Sequence, residues 1–148
     1  PLPLLVADLG EQPAEAILRE IGEPRLRGML RLAGYIPNSD LPAIYNRASA
    51  FLYTSLRESF GIPQLEAMAC GTPVVTSATS AIPEVAGKGA ILVDPTDPTA
   101  IADALRLETD AAFRAEQVAY GLERVKQFSW EKTARHLLAL YESLGKTN

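Results

Sequence analysis

Residues 50–76 decide the fold. They read Ala50-Phe51-Leu52-Tyr53-Thr54-Ser55-Leu56-Arg57-Glu58-Ser59-Phe60-Gly61-Ile62-Pro63-Gln64-Leu65-Glu66-Ala67-Met68-Ala69-Cys70-Gly71-Thr72-Pro73-Val74-Val75-Thr76. The stretch opens on an apolar run, 50–53, short enough for a strand. A polar loop follows. A short helix is expected from near Pro63 to Cys70 and Gly71, and a second apolar run covers 73–76. Two strands joined by a helix are parallel, because the crossover returns the chain to the same edge direction.

The same alternation extends outward on both sides. Residues 4–7 and 29–33 read as strands, with a helix over 14–21 between them. A helix capped by Ser39 carries Leu41, Ile44, Tyr45 and Ala48 at helical spacing. Downstream, a helical turn over 84–86 leads to a strand over 90–93. Asp97-Pro98 is an N-cap followed by proline in the first turn. The tail is helical, with one stripe at Ala111, Ala115, Val118, Leu122 and Val125. A second runs through Trp130, Ala134, Leu137, Leu138 and Tyr141, and both are read as packing stripes. The fold class is α/β: a Rossmann-like parallel sheet flanked by helices, with a helical C-terminal tail. In such sheets ligands bind beyond the carboxyl ends of the strands, here after 33, 53 and 76.

Composition sets outer limits. The 148 residues are 47% hydrophobic and 22% charged, a globular mixture. A net charge of -4 argues against nucleic acid, whose phosphates need a basic face. Cys70 is the single cysteine, so no intrachain disulfide forms. No apolar stretch is long enough to cross a bilayer, and the first residues lack the features of a signal peptide. The expected localisation is cytoplasmic. Residues 4–7 look like a strand with almost nothing before them, so the chain is expected to be truncated at its front.

The loop after 53 carries the chemistry. Glu58 and Glu66 stand with seven residues between them. A glycine-containing loop entering a helix offers free backbone N–H groups and the positive end of the helix dipole, which suits a phosphate. Two carboxylates beside a phosphate are tolerable when they accept hydrogen bonds from hydroxyls. Residue chemistry alone therefore suggests a polyol phosphate. Taken singly, each glutamate reads as structural rather than functional: Glu66 as a first-turn acid favoured by the dipole, Glu58 as a solvated loop residue.

The order of blocks is more specific. Glu58-Ser59-Phe60-Gly61-Ile62-Pro63, Glu66-Ala67-Met68-Ala69-Cys70-Gly71-Thr72-Pro73, Ala33-Gly34-Tyr35-Ile36-Pro37, Ile82-Pro83-Glu84 and Phe128-Ser129-Trp130-Glu131 appear in sequence. Together they resemble the donor half of retaining GT-B-fold glycosyltransferases of the E-x7-E group, the group 1 glycosyltransferases. The resemblance implies one nucleotide-sugar (donor) binding domain over 1–148, with the acceptor domain absent. It implies Glu58 as the catalytic-side acid holding sugar hydroxyls. It also implies Ser59, Phe60, Gly61 and Ile62 on sugar and phosphate, Glu66 on the ribose, and Tyr35 and Ile36 bordering the base. No metal or other cofactor is implied; the substrate is a nucleotide-diphospho-sugar such as a GDP- or UDP-sugar.

The implied reaction is sugar transfer to an acceptor hydroxyl in glycan or polysaccharide biosynthesis. The acceptor glycan or lipid, and any peripheral membrane attachment, fall to the missing domain. The family's arginine and lysine that neutralise the diphosphate have no counterpart here; Arg57 and Lys88 are the nearest cations. Two other readings stay open: a non-catalytic nucleotide-sugar-binding remnant, and a GT-B sugar-nucleotide epimerase. The isolated chain is expected to be inactive and to self-associate through unpaired strand edges. His136 is expected on a helix surface.

Overall fold

The computed structural model describes residues 3–107 and 109–145. The chain divides into two compact units, Pro1–Leu41 and Pro42–Asn148.

The first unit holds β1 (Leu4–Ala7), α1 (Glu11–Ile21), a 3₁₀ segment (Pro24–Met29) and β2 (Leu30–Gly34). β1 and β2 are parallel, with Leu4 opposite Leu30 and Val6 opposite Leu32. Helix α1 buries Ala14 and Leu18, one turn apart on one face, and Gly22 ends it in the left-handed conformation. The strand expected over 4–7 is present, but Leu4 and Leu5 are 49% and 47% exposed rather than buried. Their ladder lies on one side only, against β2.

The second unit begins within α2 (Leu41–Arg47). It continues through β3 (Phe51–Tyr53), α3 (Ile62–Ala69), β4 (Val74–Ser77), α4 (Ile82–Ala86), β5 (Ile91–Val93), α5 (Pro98–Leu107), α6 (Ala111–Val125) and α7 (Trp130–Gly145). The strands pair in parallel in the order β3-β4-β5. The described strands therefore form two parallel ladders, and β1 and β3 each keep one unpaired edge, as the expectation of unpaired strand edges requires. β4 is central and all four of its residues are buried, as a strand covered on both faces must be. Val75, Val93 and Ala104 form a core cluster with Leu52, Ile91 and Ile101 packed against it. Asp97 caps α5 as expected: its Oδ1 accepts from the N–H of Thr99 at 2.8 Å and of Ala100 at 3.1 Å.

The tail departs from the sequence reading. In α6 the buried point is Gly121, while Leu122 is 41% exposed. A Cβ on Gly121 would lie 3.2 Å from Met68 Cγ, and one on Gly89 would lie 3.0 Å from the Cα of Gly121. The missing side chains let α6 sit directly on α3 and on the turn before β5. The expected stripe on α7 forms but is not packed: α7 buries none of its residues, and Trp130 is 80% exposed. His136 is on the exposed surface of that helix. No helix among the described residues is long and apolar enough to cross a membrane.

Candidate functional site

The site forms at the carboxyl ends of β3 and β4, where the chain must turn out of the sheet. Thr54 to Gly61 leave β3 and lead into α3. Four hydroxyls from the end of β4 and its following loop hold this segment by donating to its backbone carbonyls. Thr76 Oγ1 donates to Tyr53 O at 2.9 Å and Ser77 Oγ to Ser55 O at 2.6 Å. Thr79 Oγ1 donates to Leu56 O at 3.4 Å and Ser80 Oγ to Glu58 O at 2.6 Å. Ser80 Oγ also accepts from the Glu58 N–H at 3.3 Å, so one hydroxyl grips both backbone groups of Glu58. Ser80 holds a positive φ of 59°, unusual for a residue with a side chain. Sequence reasoning missed this run of hydroxyls; its only trace is the Thr-Ser-x-Thr-Ser series at 76–80.

Gly61 opens α3. Its φ is 85° and ψ 58°, the left-handed region that glycine enters without penalty. No side chain caps the first turn of α3. The first N–H groups of the helix, Pro63 having none, lack an intrahelical partner. Ser59, Phe60 and Ile62 are exposed around this turn. Beneath it lies Gln64, fully buried, whose Nε2 donates to Phe60 O at 3.3 Å and whose Oε1 has no hydrogen-bond partner.

The helix starts at Ile62, and Glu66 is its fifth residue. This corrects the expectation that Glu66 occupies the first turn. The cause is Gly61, whose left-handed backbone starts the helix one residue before Pro63. A dipole account of Glu66 weakens accordingly, since that effect fades beyond the first turn.

Each glutamate instead meets a tyrosine. Tyr53 Oη donates to Glu58 Oε1 at 2.5 Å, and Tyr45 Oη donates to Glu66 Oε2 at 3.3 Å. Glu58 is half-buried and Glu66 is exposed. The structure thus gathers Glu58, Ser59, Phe60, Gly61, Ile62 and Glu66 around one strand end and one helix start. Tyr35 and Ile36 belong to the first unit, directly after β2 and Gly34; Tyr35 is 79% exposed. Arg57 and Lys88 are exposed. Cys70 is half-buried at the end of α3.

The tyrosines carry a testable pH signature. Burial, reinforced by the Glu66 carboxylate, pushes the Tyr45 hydroxyl up from 10.0 to about 12. Burial and then the bond to Glu58 raise Tyr53 as well. A raised pKa means the folded chain keeps its proton where the unfolded chain has lost it. The associated stability is complete below pH 10.0 and disappears as pH climbs to about 12. The urea midpoint of the unaltered chain is expected to fall across that window, and Tyr45→Phe to fall less steeply. Parallel curves for the two would refute this.

A family model described as glycosyl transferases group 1 matches residues 2–124. The chain belongs to the group 1 glycosyltransferase family. Within the family, it is 43% identical over 118 residues to the O-antigen chain mannosyltransferase B of Escherichia coli, covering 79% of this chain and 31% of that protein. It superposes with a TM-score of 0.83 on the sucrose-phosphate synthase of Thermosynechococcus elongatus, at 30% identity, over 98% of this chain and 39% of the other. The Anabaena HepE structure in complex with UDP-glucose also gives 0.83, at 20% identity, over 95% of this chain and 41% of that one. The chain therefore spans about a third of the curated relative's length. Parallel sheets flanked by helices, with a helical tail, are shared with GT-B glycosyltransferase structures.

Proposed function

We propose that the chain is the donor-binding domain of a retaining glycosyltransferase. The full enzyme moves a sugar from a nucleotide-diphospho-sugar to an acceptor hydroxyl in glycan or polysaccharide biosynthesis. The observation that carries this is the pair of glutamates, each bonded to a tyrosine hydroxyl, flanking an uncapped helix start reached through left-handed Gly61. Hydroxyl acceptors on either side of an anion-binding turn match a ligand with a diphosphate between two polyols. The mannosyltransferase relative and the UDP-glucose complex of a structural neighbour support the same ligand class.

In the proposed reaction the bond from the anomeric carbon to the diphosphate oxygen breaks as the acceptor oxygen bonds on the same face. The acceptor's proton passes to the departing diphosphate. Glu58 accepts sugar hydroxyls beside that carbon, and the backbone of Ser59 to Ile62 receives the growing phosphate charge, placing donors where charge develops. Glu66 holds the ribose. The pair of carboxylates is not used as a hydrolase's acid and base. No metal or other cofactor belongs to the proposal. Acceptor binding, and any peripheral membrane attachment of a cytoplasmic enzyme, are assigned to residues outside these 148. The chain alone is proposed to bind without turnover, and to pair with itself through the outer edges of β1 and β3.

Calorimetry of the chain with GDP, UDP, ADP and their sugar conjugates tests the ligand class. In the complete enzyme, Glu58→Gln is expected to slow transfer about tenfold, some 1.4 kcal/mol, while nucleoside-diphosphate affinity stays within about twofold. Equal losses in both would overturn the assignment of Glu58 to the sugar. Product analysis separates transfer from epimerisation.

A further inference from the structure

Both tyrosines that meet the glutamates are held from behind in the same way. Thr72, 3% exposed, donates its hydroxyl to the Tyr45 carbonyl at 2.7 Å. Thr76, fully buried, donates to the Tyr53 carbonyl at 2.9 Å. Thr72 lies just before β4 and Thr76 within it, so the central strand and its lead-in anchor both tyrosine backbones. Phe51 lies between the rings. Its centroid is 5.2 Å from that of Tyr45, edge to face at 83°, and 5.8 Å from that of Tyr53, nearly parallel at 18°. Such contacts fix ring planes as well as positions. The hydroxyls then have little freedom, and each ends on a different signature glutamate.

We propose that Tyr45 and Tyr53 are positioning residues of the donor site, Tyr45 aligning Glu66 for the nucleotide and Tyr53 aligning Glu58 for the sugar. The inference rests on the donor-site reading above. Each tyrosine gives a proton in a hydrogen bond to one carboxylate oxygen. The second oxygen of each glutamate is left to accept from a ligand hydroxyl. A carboxylate on a free side chain would rotate among several orientations, and ligand binding would have to restrict it. A carboxylate already pinned at one oxygen meets the ligand with that restriction made. The Tyr53 contact is the shorter, so the stronger constraint falls on the sugar-side acid. The tyrosine pKa values agree: both are raised first by burial and then by the glutamate that each hydroxyl meets.

The experiment is a binding matrix on the 148-residue chain, with GDP, UDP, GDP-mannose and UDP-glucose as probes. Unfolding midpoints are measured alongside. Tyr45→Phe is expected to weaken all bound probes alike by about threefold to tenfold. Tyr53→Phe is expected to leave GDP and UDP unchanged and to shrink the sugar conjugates' advantage by a similar factor. Glu66→Ala and Glu58→Ala serve as the matching controls. If the glutamate controls act as expected and the tyrosine variants bind like the unaltered chain, the positioning role fails and the donor-site reading survives. If the glutamate controls are silent, or the unaltered chain binds none of the four probes, the donor-site reading fails and takes the inference with it. A tyrosine variant that loses every probe equally while its midpoint drops, or that does not fold, shows a structural hydroxyl and overturns the inference.

Discussion

Gly61→Ala is expected to destabilise the second unit by roughly 2–3 kcal/mol and to abolish measurable nucleotide binding. Two costs combine. A side chain at φ 85° enters the left-handed region, at about 1–2 kcal/mol. The added Cβ would also stand 2.9 Å from Gln64 Nε2 and 3.5 Å from Tyr53 Cε1. Gln64 cannot swing clear, because it is fully buried and its amide holds the Phe60 carbonyl. Displacing it forfeits that bond, worth about 0.5–1.5 kcal/mol. Movement would also reach the turn from Ser59 to Ile62 and Tyr53, the partner of Glu58. Urea unfolding monitors the first effect and calorimetry the second. Gly145→Ala is the reference, since nothing lies within 4 Å of a Cβ there. A loss at position 61 no larger than at 145 would show that the left-handed turn is dispensable.

What the sequence disclosed follows from how local each signal is. Strand and helix runs depend on near neighbours, so β4, α5 with its Asp97 cap and the short α3 were all readable. The glutamates and Gly61 were readable because they sit in one contiguous block. Their partners were not. Tyr45 meets Glu66 across 21 positions, and only the stacking of β3 beside β4 brings α2 to that place. In α2, Tyr45 sits on the apolar stripe, where its ring looks like ordinary core. Gly121 was hidden for a related reason: an absent side chain makes no hydrophobic stripe, yet it is the point where α6 comes nearest Met68. The α7 stripe marks the reverse limit. Helical spacing shows which residues share a face, but not whether another surface covers it, and here the face is exposed.

Glu66→Ala is expected to weaken nucleoside-diphosphate binding by roughly 1.5–3 kcal/mol, the range for hydrogen bonds to a charged group. That is about tenfold to over a hundredfold in affinity. The competing account makes Glu66 a helix acid whose value lies in the dipole. Its position argues otherwise, because it is the fifth residue of α3 and the first turn holds no acid at all. The carboxylate is exposed and receives one tyrosine bond at 3.3 Å, near the long end of useful contact. Removing it therefore costs the fold little, under about 1 kcal/mol, the range for an exposed charged side chain. Affinity and stability separate cleanly in this variant, as they do not for Gly61. Glu66→Gln refines the point: it keeps an acceptor oxygen and the Tyr45 contact but removes the charge, so an intermediate loss is expected. If ribose hydroxyls are what Glu66 holds, inorganic diphosphate, which has no ribose, should bind the alanine variant as it binds the unaltered chain. An alanine variant that loses diphosphate and nucleoside diphosphate in equal measure would move Glu66 from the ribose to the architecture of the phosphate turn. Unchanged affinity for both would remove it from the site.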